Sequence, residues 1–339
     1  MQQQPSVNPG RAPFIPQPDP SGGEKLRLRS FANLFAVSGL LYITTNLAFS
    51  RGLNLLFDWY YKANGCYLFG SSQTESYVAT MLTYVFSLAI SFGAYAILLK
   101  MPLRVALPLR PVDGGNLLLT IPVTFFLSVI GAFLTSLLSM LISVTGYVPV
   151  DPQPDIPQTV SGYLLYFFIM VVLPMFFEEI AFRGILLQSL RRFGDGFALV
   201  ASSLMFGLLH LNLVQTPHAF FLGLWMGYLV LRSGSLWSSI VLHGCVNLSA
   251  GILSILIDGA TDEALMLING FYVTFWLIVG GGCILGLFLR NRENGFALHP
   301  ARTYLKNGEK LSTYFSAPMM LALLAVMAYF MLQYLERIR

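Results

Sequence analysis

Three ionisable residues, Glu178, Glu179 and Arg183, interrupt an apolar run that extends from about Tyr163 to Leu190. An unpaired ionised carboxylate is costly to bury, so such groups pair, neutralise or face water. Ionisable residues inside a membrane segment therefore mark a functional site by default. Two further polar pairs stand in later apolar runs: Phe206 with His210 and His243 with Asn247, each pair four residues apart. Residues at that spacing share one helix face. Glu179 and Arg183 thus suit an ion pair, with the acid toward the N-terminus, the favourable order. Glu178 points about 100° away around the helix and stays free of that pair. A water-filled pocket shared by these carboxylate, imidazole and amide groups would satisfy them within the membrane. Phe206 suits an aromatic wall beside His210.

The elements that must carry these residues are membrane helices. The 339-residue chain is 55% hydrophobic and only 11% charged, with mean hydropathy +0.67. Soluble domains carry about 25% charged residues, so the composition implies a polytopic membrane protein. The net charge of +4 reads as loop charge that sets topology, which argues against a nucleic-acid partner and for the lipid bilayer. Cys66, Cys245 and Cys283 are too far apart for a disulfide framework or a metal-ligand spacing.

Apolar runs of spanning length occur at roughly 31–50, 77–99, 117–144, 161–190, 196–214, 218–231, 237–257, 271–289 and 318–335. The expectation is an all-α transmembrane helix bundle of about 8–9 spans with an active-site cavity inside the membrane. Lysines and arginines concentrate near 25–29, 100–110, 191–192, 232 and 290–310, whereas the intervening loops carry only Arg51 and Lys62 in the first and none at 145–160, 215–217 and 258–270, with Arg337 and Arg339 at the C-terminus as the exception. That alternation predicts a cytoplasmic N-terminus in a multi-pass protein of the cell membrane. Residues 1–24, rich in Gln, Pro and Gly, are expected to be a disordered cytoplasmic tail. The expected division then runs 25–150 for N-terminal helices, 151–257 for a catalytic core and 258–339 for C-terminal helices.

Depth links the motifs. At 1.5 Å per residue, Glu178 lies roughly 18 Å from the inner interface and His210 roughly 20 Å, with His243 roughly 9 Å and Asn247 roughly 15 Å in. Four polar groups from three helices can therefore meet around one water-filled pocket. Singly, His210 or His243 would read as an interhelical hydrogen-bonding residue; together with Glu178 and Asn247 they read as a site. Gly223 with Gly227, and Gly282 with Gly286, suit close helix packing. His218 and His299 read as solvated loop residues.

The three motifs, Glu178-Glu179-x-x-x-Arg183, Phe206-x-x-x-His210 and His243-x-x-x-Asn247, occur in that order across about residues 160–255. This pattern resembles the CAAX protease and bacteriocin-processing (Abi) family of intramembrane endopeptidases and is similar to the type II CAAX prenyl endopeptidases. The resemblance implies hydrolysis of a peptide bond in a peptide or protein tail, with or without a lipid modification. It implies Glu178 as general base, His210 as its aid in holding water, and His243 and Asn247 as oxyanion stabilisers. Glu179, Arg183 and Phe206 are implied as supports.

Glu178, His210 and His243 also form a His₂Glu set of the kind that holds catalytic zinc. No HExxH occurs, and Asn247 beside His243 suits an oxyanion site better than a ligand. The expectation is therefore no cofactor, with zinc as the alternative. The competing functional class is a non-catalytic transporter or self-immunity protein using the same pocket. A transporter favours repeat symmetry and broken helices in both halves, whereas here the polar residues cluster in one stretch.

Overall fold

The computed structural model describes residues 20–151, 154–292, 297–298 and 303–338. His299 and residues 1–19 of the expected tail lie outside the described residues, and residues 20–24 are helical rather than tail. Helix α1 (Pro20–Asn64) runs for 45 residues. That is about 68 Å at the α-helical rise, over twice the hydrocarbon thickness of a bilayer. It pairs with α2 (Ser72–Leu98), whose first turn is capped by Ser71 accepting from the Thr74 amide. A short helix α3 (Leu103–Ala106) leads to α4 (Gly114–Ser143), capped by Asp113.

One continuous helical stretch, Val160–Phe193, carries the first motif. It comprises α5 (Val160–Phe167), a π segment (Phe168–Val172), α6 (Leu173–Glu178), a second π segment (Glu179–Leu186) and α7 (Leu187–Leu190). The remaining helices are α8 (Asp195–Leu208), α9 (Gln215–Ser233), α10 (Trp237–Ile257), α11 (Asp262–Asn291), α12 (Asn307–Phe315) and α13 (Pro318–Gln333). A three-residue ribbon pairs β1 (Tyr147–Pro149) with β2 (Leu335–Arg337), antiparallel.

Among the described residues, six helices are long and apolar enough to cross a membrane, and a seventh if α12 and α13, bent by 71°, count as one span. The chain is an all-α, multi-pass integral membrane protein with fewer crossings than the eight or nine expected. The difference arises at 196–214 and 218–231. Helix α8 has 14 residues, about 21 Å, too short to cross alone. The chain turns after it, with Leu211 in the left-handed region at φ 55° and the Asn212 carboxamide oxygen accepting from the Val214 amide. Helix α9 then folds back on α8, so the two apolar runs form a helical hairpin. Gly223 and Gly227 permit that approach: a Cβ at Gly227 would come within 2.7 Å of Leu199 Cδ1. Gly282 meets nothing, and the close approach of α11 to α4 is at Gly280, against the Pro122 carbonyl.

The main core joins α1, α2, the motif helix, α8 and α13 through Phe35, Phe92, Phe182, Phe197, Met205 and Met320. A second cluster, Phe125, Leu222, Met226, Leu242 and Val246, ties α4, α9 and α10, with Trp276 of α11 stacked on Phe125. Gly184 lies on the backbone carbonyl of Ala106, where any Cβ would overlap the oxygen. Gly184→Ala is therefore expected to destabilise the fold by about 1–3 kcal/mol through overpacking, read as a lower midpoint of thermal unfolding in detergent.

Contacts sort the loops into two ends. At one end Glu24 accepts from the Tyr304 amide, Arg290 pairs with Asp113, and Arg232 donates to the Ala297 carbonyl. At the other, Asp151 accepts from Asn212 and Gln215, Tyr77 donates to the Asp155 carbonyl, and the Val150 amide bonds Tyr334.

Candidate active site

Proline explains the first irregularity of the motif helix. Pro174 has no N–H, so the α-helical bond to the carbonyl four residues earlier, at Met170, cannot form. The backbone there opens into the π segment Phe168–Val172. Asn247 of α10 donates its side-chain N–H to that Met170 oxygen at 3.0 Å. One of the two amide hydrogens of Asn247 is thus committed to the helix that carries Glu178. The second π segment begins at Glu179. Such wide turns concentrate at functional sites, and this one falls on the pair of carboxylates.

The two glutamates diverge. Glu179 is fully buried, and its Oε1 accepts from Arg183 Nη1 and from His243 Nδ1, each at 2.8 Å. A carboxylate oxygen only accepts, so His243 carries its hydrogen on Nδ1. Glu178 is less enclosed. Its Oε1 accepts from the Tyr84 hydroxyl at 2.5 Å, and its Oε2 lies 3.8 Å from His243 Nε2, beyond direct hydrogen-bond reach. His210 follows α8, and its Nδ1 donates to the Phe206 carbonyl at 2.8 Å. In the neutral ring Nε2 therefore keeps a free lone pair.

Phe206 organises the group. The Arg183 guanidinium covers its face, 4.0 Å from the centroid. His210 stands edge-on at 4.9 Å and His243 at 6.2 Å, and Phe182 packs against it at 5.0 Å. A cavity of about 400 Å³ opens beside this cluster, lined by Glu178, His210 and Phe206 together with Tyr42, Asn46 and Tyr84. Glu178, His210 and His243 thus come together. Asn247 stands one turn from His243 on α10, and neither residue is part of that cavity's wall.

Zinc, if held here, would use Glu178, His210 and His243: the Nδ1–H of His243 is held by the Glu179 carboxylate and that of His210 by the Phe206 carbonyl, which leaves Nε2 as the atom each neutral ring would offer to water or to a metal.

Tyr84 and Tyr42 are site residues that sequence spacing did not reveal. Their one signal is a phenol in an apolar run, which tyrosines throughout this chain share. His218 is a correction: it is a half-buried helical residue rather than a solvated one, and its Nε2 bonds Ser128 Oγ at 2.8 Å. Gly131 makes room for it, since a Cβ there would come within 2.9 Å of the ring.

Residues 160–249 match the family described as type II CAAX prenyl endopeptidase Rce1-like. No curated protein and no solved structure matches the chain. The match holds the three motifs and excludes α1, α2 and α13, which supply much of the cavity wall. The chain carries a Rce1-like CAAX-protease domain over residues 160–249, and the buried glutamate–histidine arrangement within it is that of an intramembrane hydrolase.

Proposed function

We propose that Glu178 is the general base of an endopeptidase that cuts a peptide or protein tail entering the membrane, with or without a lipid attached. The division between the two carboxylates carries this reading. Glu179 is consumed by Arg183 and His243, while Glu178 opens on the cavity that also takes in His210. Water held against Glu178 Oε2 loses a proton to that carboxylate as its oxygen bonds to the scissile carbonyl carbon. His210 orients the same water through its Nε2 lone pair.

The resulting oxyanion needs donors. Asn247 has one amide hydrogen left after Met170. His243 can donate from Nε2 only as the doubly protonated ring, because its Nδ1–H is held by Glu179. As the C–N bond breaks, the proton on Glu178 passes to the leaving nitrogen, so water's hydrogen and hydroxyl end on the two fragments.

In this reading the chemistry needs no metal, and the N-terminus is cytoplasmic. The basic clusters at Lys25–Arg29, Arg191–Arg192, Arg232 and Arg290–Arg292 support that orientation. The test is purified protein in lipid nanodiscs with quenched-fluorescent peptides, prenylated and plain. Cleavage that persists in a strong chelator is expected. Loss of cleavage in the chelator, restored by zinc, would replace water-only chemistry with metal chemistry.

A further inference from the structure

We infer that Tyr84 is a positioning residue for the Glu178 carboxylate, an assignment that rests on the hydrolase reading above. Its hydroxyl donates to Glu178 Oε1 at 2.5 Å across 94 residues of sequence. It belongs to α2, outside the matched segment 160–249. The last torsion of a glutamate is broad, so an unanchored carboxylate samples many orientations. A donor fixed on Oε1 removes that freedom. It also distinguishes the two oxygens: Oε1 is engaged, and Oε2, the oxygen turned toward His243, remains to take the water proton. A phenol has a single hydrogen. While it is spent on Glu178 it cannot serve an oxyanion, so the contribution of Tyr84 passes through the base.

The helix that holds Tyr84 is registered on the motif helix by other contacts. Phe92 stands edge-on to Phe182 at 5.1 Å, and the Tyr95 hydroxyl lies 3.1 Å from Ser189 Oγ. Tyr77 packs against Tyr166 nearer the other end of α2. The alignment of α2 therefore does not depend on the Tyr84 hydroxyl. Removing that one oxygen should free the carboxylate and leave the packing in place.

Tyr84→Phe tests this, with a peptide that the wild-type protein cleaves in nanodiscs. The expected result is a kcat lower by about 10- to 100-fold, the scale of a misplaced catalytic group, with KM and the unfolding midpoint unchanged. Infrared difference spectra of ¹³C-glutamate-labelled protein provide a second readout. Wild type minus Tyr84→Phe should contain a carboxylate band that disappears when both proteins also carry Glu178→Gln. An unchanged kcat, a loss confined to KM, or the absence of that band would overturn the assignment. If Tyr84→Phe unfolds, the alignment argument fails and the assignment with it. Failure of the wild-type protein to cleave any peptide is a separate result and would remove the hydrolase reading itself.

Discussion

Glu178→Gln protein is expected to insert and fold like the wild type and to have lost peptide cleavage. Glutamine keeps the size of the side chain and can still accept from the Tyr84 hydroxyl, so the packing of α2 on the motif helix is undisturbed. It cannot take a proton from water. Removal of a positioned general base costs about 10²- to 10⁴-fold in rate. A neutral amide also presents an N–H where the water proton must go, so the loss should fall at the upper end of that range. Initial rates on a fluorogenic peptide, with size-exclusion profile and unfolding midpoint as controls, decide the matter. A well-folded variant with wild-type turnover would remove Glu178 from the mechanism.

The largest effect on stability is expected at Arg183. Its guanidinium is buried, pairs with a carboxylate that has no exposed surface, and covers the Phe206 ring. Arg183→Met leaves Glu179 buried with His243 as its remaining partner in this cluster. Breaking a buried ion pair from one side costs about 3–5 kcal/mol, enough to deplete the folded protein. A second variant separates charge from packing. If the penalty comes from a stranded carboxylate, Glu179→Gln with Arg183→Met should be more stable than Arg183→Met alone. Thermal unfolding in detergent would show this as a partial recovery of the midpoint. Cleavage should not recover, because the carboxylate that orients His243 is gone. A double variant no more stable than the single one would mean that Arg183 acts mainly through its stacking on Phe206.

The two glutamates show what could be read along the chain. The i, i+4 spacing of Glu179 and Arg183 implied their pairing, and the ion pair is present at 2.8 Å. Within one helix, side-chain direction follows from the backbone period, so such pairs are local facts. The crossing number was not local. Hydropathy counts apolar runs, but α8 stops at Leu208 because the chain turns through Leu211 and Asn212, and α9 packs back on it through Gly223 and Gly227. His218 was misread for a related reason. Its position opens a helix, but the neighbour that buries it, Ser128 on α4, lies 90 residues earlier.

The sequence by itself determined the class of molecule and the three polar motifs, because composition sets the solvent and the helical period sets the face; of the three, the pair Phe206 and His210 is not on one helix, since α8 ends at Leu208 and His210 stands in the turn after it. Only the tertiary structure decided that Tyr84 holds the Glu178 carboxylate and that Asn247 spends a hydrogen on Met170. Those contacts depend on the relative height of separate helices. That height is set by aromatic and glycine packing between distant segments, and by the wide turns near Pro174 and Glu179 that shift the motif helix against its neighbours.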